Sequence, residues 1–143
     1  MTNIAAAVLA QAAQALGKVR FAGRSADDAL ATGTAGPAAV RAIILGTLRW
    51  YWRLDAIATT LLAAARVTPP VRSLLLASLH QLEYSRNPPE ATVSSAVDAV
   101  RVLGQPRASG LVNALLRRFL RERESLLGRA LVDEAAASAH PRW

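Results

Sequence analysis

The stretch between Pro69-Pro70 and Asn87-Pro88-Pro89 is apolar on two helical faces at once. At 100° per residue Val71, Leu75, Leu79 and Leu82 form one stripe, and Leu76, His80 and Tyr84 form another. A helix apolar on both sides must be covered on both sides. This segment, predicted to run to about Arg86, is therefore the central helix of whatever the chain builds. The diproline suits its first turn, and Asn87 ends it because a residue before proline is pushed out of the helical region.

Everything around it also carries the helical period, and nowhere is there sustained strand alternation. A first helix is predicted from Ile4 to Val19, with Ile4, Val8, Ala12, Leu16 and Val19 along one stripe. Ser25 can cap a short helix to Ala31, and residues 32–36 read as a loop before Pro37. The next helix is predicted from Pro37 to about Ala65, with Asp55 as the place where it can break. A shorter one carries Val93, Ala96, Val97, Val100 and Leu103 and stops at Gly104. After Pro106 a last long helix turns Ala108, Leu111, Val112, Leu115 and Phe119 inward, and is predicted to reach Leu127 before Gly128. Six or seven helices with short connections define an all-α bundle.

With 143 residues, one compact core is expected. The absence of cysteine excludes disulfides, thiolate metal sites and a catalytic thiol; two histidines are too few for a His-rich metal site. No apolar run approaches the roughly 20 residues that span a bilayer. The Met-Thr-Asn-Ile start does not read as a signal peptide, so a cytoplasmic protein with no membrane contact is expected. No Gly-rich loop follows a strand, Ser94-Ser95 has no base at a recognisable spacing, and the neighbouring acids Asp27-Asp28 and Asp133-Glu134 point in different directions on a helix. No catalytic residue and no metal site is expected in this chain.

Charge gives the positive signal. The net charge is +7, and it is unevenly placed: residues 41–86 hold six Arg against Asp55 and Glu83, and residues 101–129 hold seven Arg against Glu122 and Glu124. Such a basic half fits a polyanion partner, and it also fits a plain solvated surface. Arg49 and Arg53 lie one turn apart and are predicted to project away from the apolar stripe. Arg117, Arg118, Arg121 and Arg123 cluster at the end of the last long helix, where Arg117 and Arg121 share a face and Glu122 is placed to pair with Arg118. These six are the candidate RNA-binding residues, set against ordinary salt-bridged surface. In Trp50-Tyr51-Trp52 the three rings cannot all face the core. Burial preference favours boundary packing, while an exposed ring beside Arg49 and Arg53 has the makings of a base-stacking site. His80 has no carboxylate at helical spacing, which favours a hydrogen-bonded interhelical histidine over a buried acid or base.

Several of these segments resemble a known pattern. Leu45-Gly46-Thr47-Leu48-Arg49 followed by Leu54-Asp55 and Ile57, Leu79-His80-Gln81-Leu82-Glu83-Tyr84 followed by Arg86-Asn87-Pro88-Pro89, and Gly110 through Phe119 are similar, in that order, to NusB-like domains. The closing His140-Pro141-Arg142-Trp143 is similar to the segment that follows this domain in the ribosomal RNA small-subunit cytosine methyltransferases of the Fmu/Sun family. The resemblance implies a NusB-like fold, two small helical bundles sharing a long central helix, over residues 1–130, with 131–143 as the start of a linker to a methyltransferase domain. It implies an S-adenosylmethionine cofactor and a nucleophilic cysteine in that later domain, and none in this chain. Its implied partners are ribosomal RNA, the chain's own methyltransferase domain and a small ribosomal protein. A free-standing antitermination factor of the NusB type and a helical protein-interaction module remain as alternatives. Two positions depart from the pattern: residues 1–17 contain no Arg or Lys where NusB proteins carry an arginine-rich start, and Ser95 stands where an acidic residue is often found.

Overall fold

The computed structural model describes residues 3–21 and 38–139, and among these every regular element is helical. The predicted short helix at 25–31, the loop at 32–36 and the closing 140–143 lie outside the described residues. Seven α-helices are seen: α1 (Ile4–Phe21), α2 (Ala38–Arg49), α3 (Tyr51–Leu62), α4 (Pro69–Tyr84), α5 (Pro89–Val102), α6 (Ser109–Arg121) and α7 (Arg123–Ala139), with one 3-10 turn at Pro106–Ala108.

Helix α4 is central, as its two apolar faces require. Every residue from Ser73 to His80 is buried, and α4 packs against α1, α2, α3, α5 and α6. Leu82, predicted for the core with Leu75 and Leu79, is only partly buried and packs against the core's edge. Truncating a fully buried leucine such as Leu79 removes packing worth about 2–5 kcal/mol. On one side α1, α2 and α5 surround α4; on the other α3 and α6 do, with α7 laid across α3. Two groups of helices thus share one central helix. The approach of α1 to α4 depends on small side chains: Ala6, Ala10, Ala12, Ala13 and Ala15 are buried, and Gly17 faces Ser73. Asn3 starts α1 by accepting the Ala6 amide at 3.2 Å, and its own amide donates to Asp98 of α5 at 3.0 Å.

Prolines and one glycine punctuate the chain where expected. Pro69 and Pro89 occupy first-turn positions, and Gly104 ends α5 at φ +73°, a left-handed conformation that costs glycine little. Two boundaries differ from expectation. The helix predicted from Pro37 to Ala65 breaks at Trp50, not at Asp55, and the last long helix breaks at Glu122 and then continues through Gly128 to Ala139. Both break residues sit in the bridge region, Trp50 at φ −105°, ψ 20° and Glu122 at φ −112°, ψ 20°. Neither is a helix breaker by propensity. Tertiary packing dictates both: α2 packs on α1 and α4 while α3 must turn toward α7, and α6 packs on α5 while α7 must turn toward α3. Asp55 instead accepts a 2.7 Å bond from Arg72, tying α3 to α4. Residues from 131 onward, expected to begin a linker, are helical as far as Ala139.

Candidate nucleic-acid interface

The C-terminal end of α4 and the first turn of α5 hold three of the six candidate arginines, Arg53, Arg123 and Arg117. Tyr84 lies at the centre. Its ring stacks on Trp50 with centroids 5.1 Å apart and planes 11° from parallel, and His80 sits against it at 5.4 Å. The break at Trp50 swings the indole onto this stack. Arg53 covers the Trp50 ring, its Cζ 4.8 Å from the centroid, and donates from Nη1 to the Tyr84 hydroxyl at 3.0 Å. Its other edge donates in two-pronged fashion to Glu134 of α7, at 3.1 and 3.0 Å. The hydrogen bond to Glu134 raises the guanidinium's pKa further above its already high value, so the side chain is a fixed cation. Arg53 was expected to project outward; with only 19% of its side chain exposed, it is folded down between α3, α4 and α7.

Arg49, at the end of α2, is exposed and lies 5.3 Å over the Trp50 ring, with no carboxylate partner among the described residues. Arg123 reaches back from α7 to Glu83, one residue before Tyr84, at 2.6 and 2.8 Å, and this pairing raises its pKa. Arg117 donates to both oxygens of Glu90 at the start of α5, at 3.0 and 3.2 Å, and to Asn113 at 3.0 Å. Arg118 pairs with Glu122 at 2.8 Å, as its spacing predicts. Arg121 is exposed and has no ion-pair partner among the described residues. Arg86, in the turn itself, is likewise exposed and unpaired among them. It belongs with the cluster although its charge alone did not single it out.

Contacts therefore place Arg53, Arg123 and Arg117 on Tyr84, Glu83 and Glu90, and place Arg49 on the indole that stacks on Tyr84. The acidic partners were not legible. Glu83, Glu90 and Glu134 lie 40, 27 and 81 residues from the arginines they hold, far outside helical spacing.

The two tryptophans divide the readings open to them: Trp50 is packed at a helix boundary, while Trp52 is 78% exposed. His80 is buried, and its Nδ1 accepts a 3.1 Å bond from the Gln81 amide. Burial lowers its pKa below the ordinary histidine value. This is the interhelical histidine that its sequence surroundings suggest. It also lines an apolar cleft of about 720 Å³ between α1, α2 and the α4–α5 turn, whose lining includes Thr92 and Ser95 and, among the described residues, no arginine. Among the described residues no group of three His, Asp or Glu side chains could hold a metal, and no helix is long and apolar enough to cross a membrane.

A basic domain, wholly helical among the described residues, is the class that the fold defines. The sequence pattern of the NusB family matches residues 4–121, and the chain belongs to that family. It is similar to the ribosomal RNA small subunit methyltransferase B of Pseudomonas putida, 42% identical over 103 residues, which cover 71% of this chain and 24% of that protein. It is similar along more of its length to the protein of the same name from Vibrio cholerae, 32% identical over 148 residues, covering 95% of this chain and 33% of that protein. The probable ribosomal RNA small subunit methyltransferase B of Coxiella burnetii is 37% identical over 111 residues, 73% of this chain and 25% of that one. The chain spans about a quarter to a third of the length of these relatives.

Proposed function

We propose that the chain is the non-catalytic RNA-recognition domain of a ribosomal RNA cytosine methyltransferase, acting in the cytoplasm and helping to position the RNA for a separate catalytic domain. The observation that carries this reading is the similarity of 95% of the chain to one third of a protein named for methylating small-subunit ribosomal RNA. In this proposal S-adenosylmethionine is bound by the separate catalytic domain.

The arginines named above supply the proposed contact. Among the described residues Arg49 and Arg121 have no carboxylate to give up. Arg117 and Arg118 are held in exposed pairs worth under about 1 kcal/mol each, which a phosphate can replace, while Arg123 is paired with the mostly covered Glu83. Arg53 works from behind, fixing Trp50 and α7 in place. A guanidinium offers phosphate a planar fork, and each phosphate neutralised on a single strand adds about 0.7 to the slope of log K against log salt.

RNA binding measured across about 50–200 mM salt tests the reading. Replacing Arg49, Arg117 and Arg121 together with Gln should weaken binding and flatten the slope by about 2, three contacts at about 0.7 each. An unchanged affinity and slope in that variant, or no RNA binding by the parent at any salt, would overturn it.

A further inference from the structure

Trp52 is the one large apolar side chain that α3 leaves exposed. Leu54, Ile57, Ala58 and Leu61 face the core, and at 100° per residue Trp52 falls on the opposite side of the helix. Its indole is 78% exposed, and the ring of Tyr51 meets it edge-on with centroids 5.4 Å apart, at 80°. An exposed tryptophan is costly to leave in water, and neither the core nor the Trp50–Tyr84 stack needs this one. Its neighbours along the chain are polar. Arg49 is exposed three residues before it, and the Asp55–Arg72 pair, which also engages Thr59, stands one turn after it. An exposed flat ring with exposed Arg49 three residues before it, on a chain of net charge +7, complements a polyanion that carries aromatic faces of its own.

We propose that Trp52 is a stacking platform for an unpaired base, so that this face takes single-stranded RNA in preference to duplex. The proposal rests on the RNA-recognition reading above and adds the class of RNA. The arginines hold the backbone, and the indole selects for a base free to leave its neighbours, which a paired base is not. Stacking neutralises no phosphate, so it contributes affinity without contributing to the salt slope.

The test compares the parent chain with Trp52→Ala and Trp52→Phe, using a short fluorescent RNA of mixed sequence, either single-stranded or annealed to its complement. Alanine should weaken single-strand binding roughly five- to a hundredfold, in line with the loss of one base–aromatic stack, and leave duplex binding and both salt slopes unchanged. Phenylalanine should retain most of the single-strand affinity. Circular dichroism should be the same for all three, since the indole is outside the core. If the parent binds RNA with a normal salt slope but Trp52→Ala binds single strands equally well, the stacking inference fails and the RNA reading stands. If Trp52→Ala instead shifts the sedimentation of the free chain toward monomer and leaves RNA binding alone, the ring covers a second copy and the proposal is overturned. If the parent binds no RNA, the underlying reading fails with it.

Discussion

His80 and Gly46 show how one close contact fixes the chemistry of a side chain. A Cβ placed on Gly46 would run into the His80 imidazole, so the glycine of the Leu45–Arg49 segment is there to let α2 lie against α4 at that ring. The imidazole is left buried, with Nδ1 accepting from Gln81, and both effects favour its neutral form. Because the folded pKa lies below the ordinary 6.5, His80 costs no stability above that value. As the pH falls below it, the unfolded chain takes up the proton first, and stability declines toward the folded pKa. Urea melts from about pH 7.5 down to about pH 5.5 should show this decline, and His80→Gln should flatten it. The same decline in the variant would mean that another group is responsible. The sequence showed a histidine without a carboxylate and a glycine in a recurrent segment. That the one exists for the other depends on two helices meeting, which no local spacing encodes.

Among the elements, α7 is tied to the rest by a polar contact as well as by Leu126 and Ala130. Arg53 grips it through Glu134 while holding Trp50 and Tyr84 on the other side. Arg53→Ala should cost about 1–2 kcal/mol, because it removes bonds to a charged group at a half-buried site. It should also release the amides around Glu134 to hydrogen exchange before those of α4. Unchanged melts together with unchanged exchange in α7 would show that apolar contacts alone hold the helix. The legibility of the elements follows the same division. The double stripe of α4, the prolines at its start and at the start of α5, and the stop at Gly104 are local signals, and the structure follows them. The breaks at Trp50 and Glu122 are set by which neighbours α3 and α7 must reach, and the pattern on either side of each reads as an unbroken helix. Leu82 misleads for a related reason: it keeps the period of the stripe but sits at the end of α4, where the covering helices run out.

For the whole molecule, net charge fits a polyanion partner and equally a solvated surface, and it does not say where a partner would sit, since a sequence lists arginines but not their partners. Folding sorts them. Arg53 becomes part of the structure; Arg117 and Arg118 are held in exposed pairs and Arg123 on the mostly covered Glu83; Arg49, Arg86 and Arg121 stay without carboxylates among the described residues. Residues 1–17 contain no Arg or Lys, so the first basic residues of α1 are Lys18 and Arg20 near its end. The most direct measurement is a titration of the ¹⁵N-labelled chain with single-stranded RNA, followed by amide chemical shifts. Shifts should concentrate at the α2–α3 junction around Arg49–Arg53, in the turn from Glu83 to Glu90, and along Arg117–Arg123, and should fade as salt is raised. Shifts gathered instead around the apolar cleft of α1 and α2, or none anywhere at low salt, would contradict an RNA face at this turn.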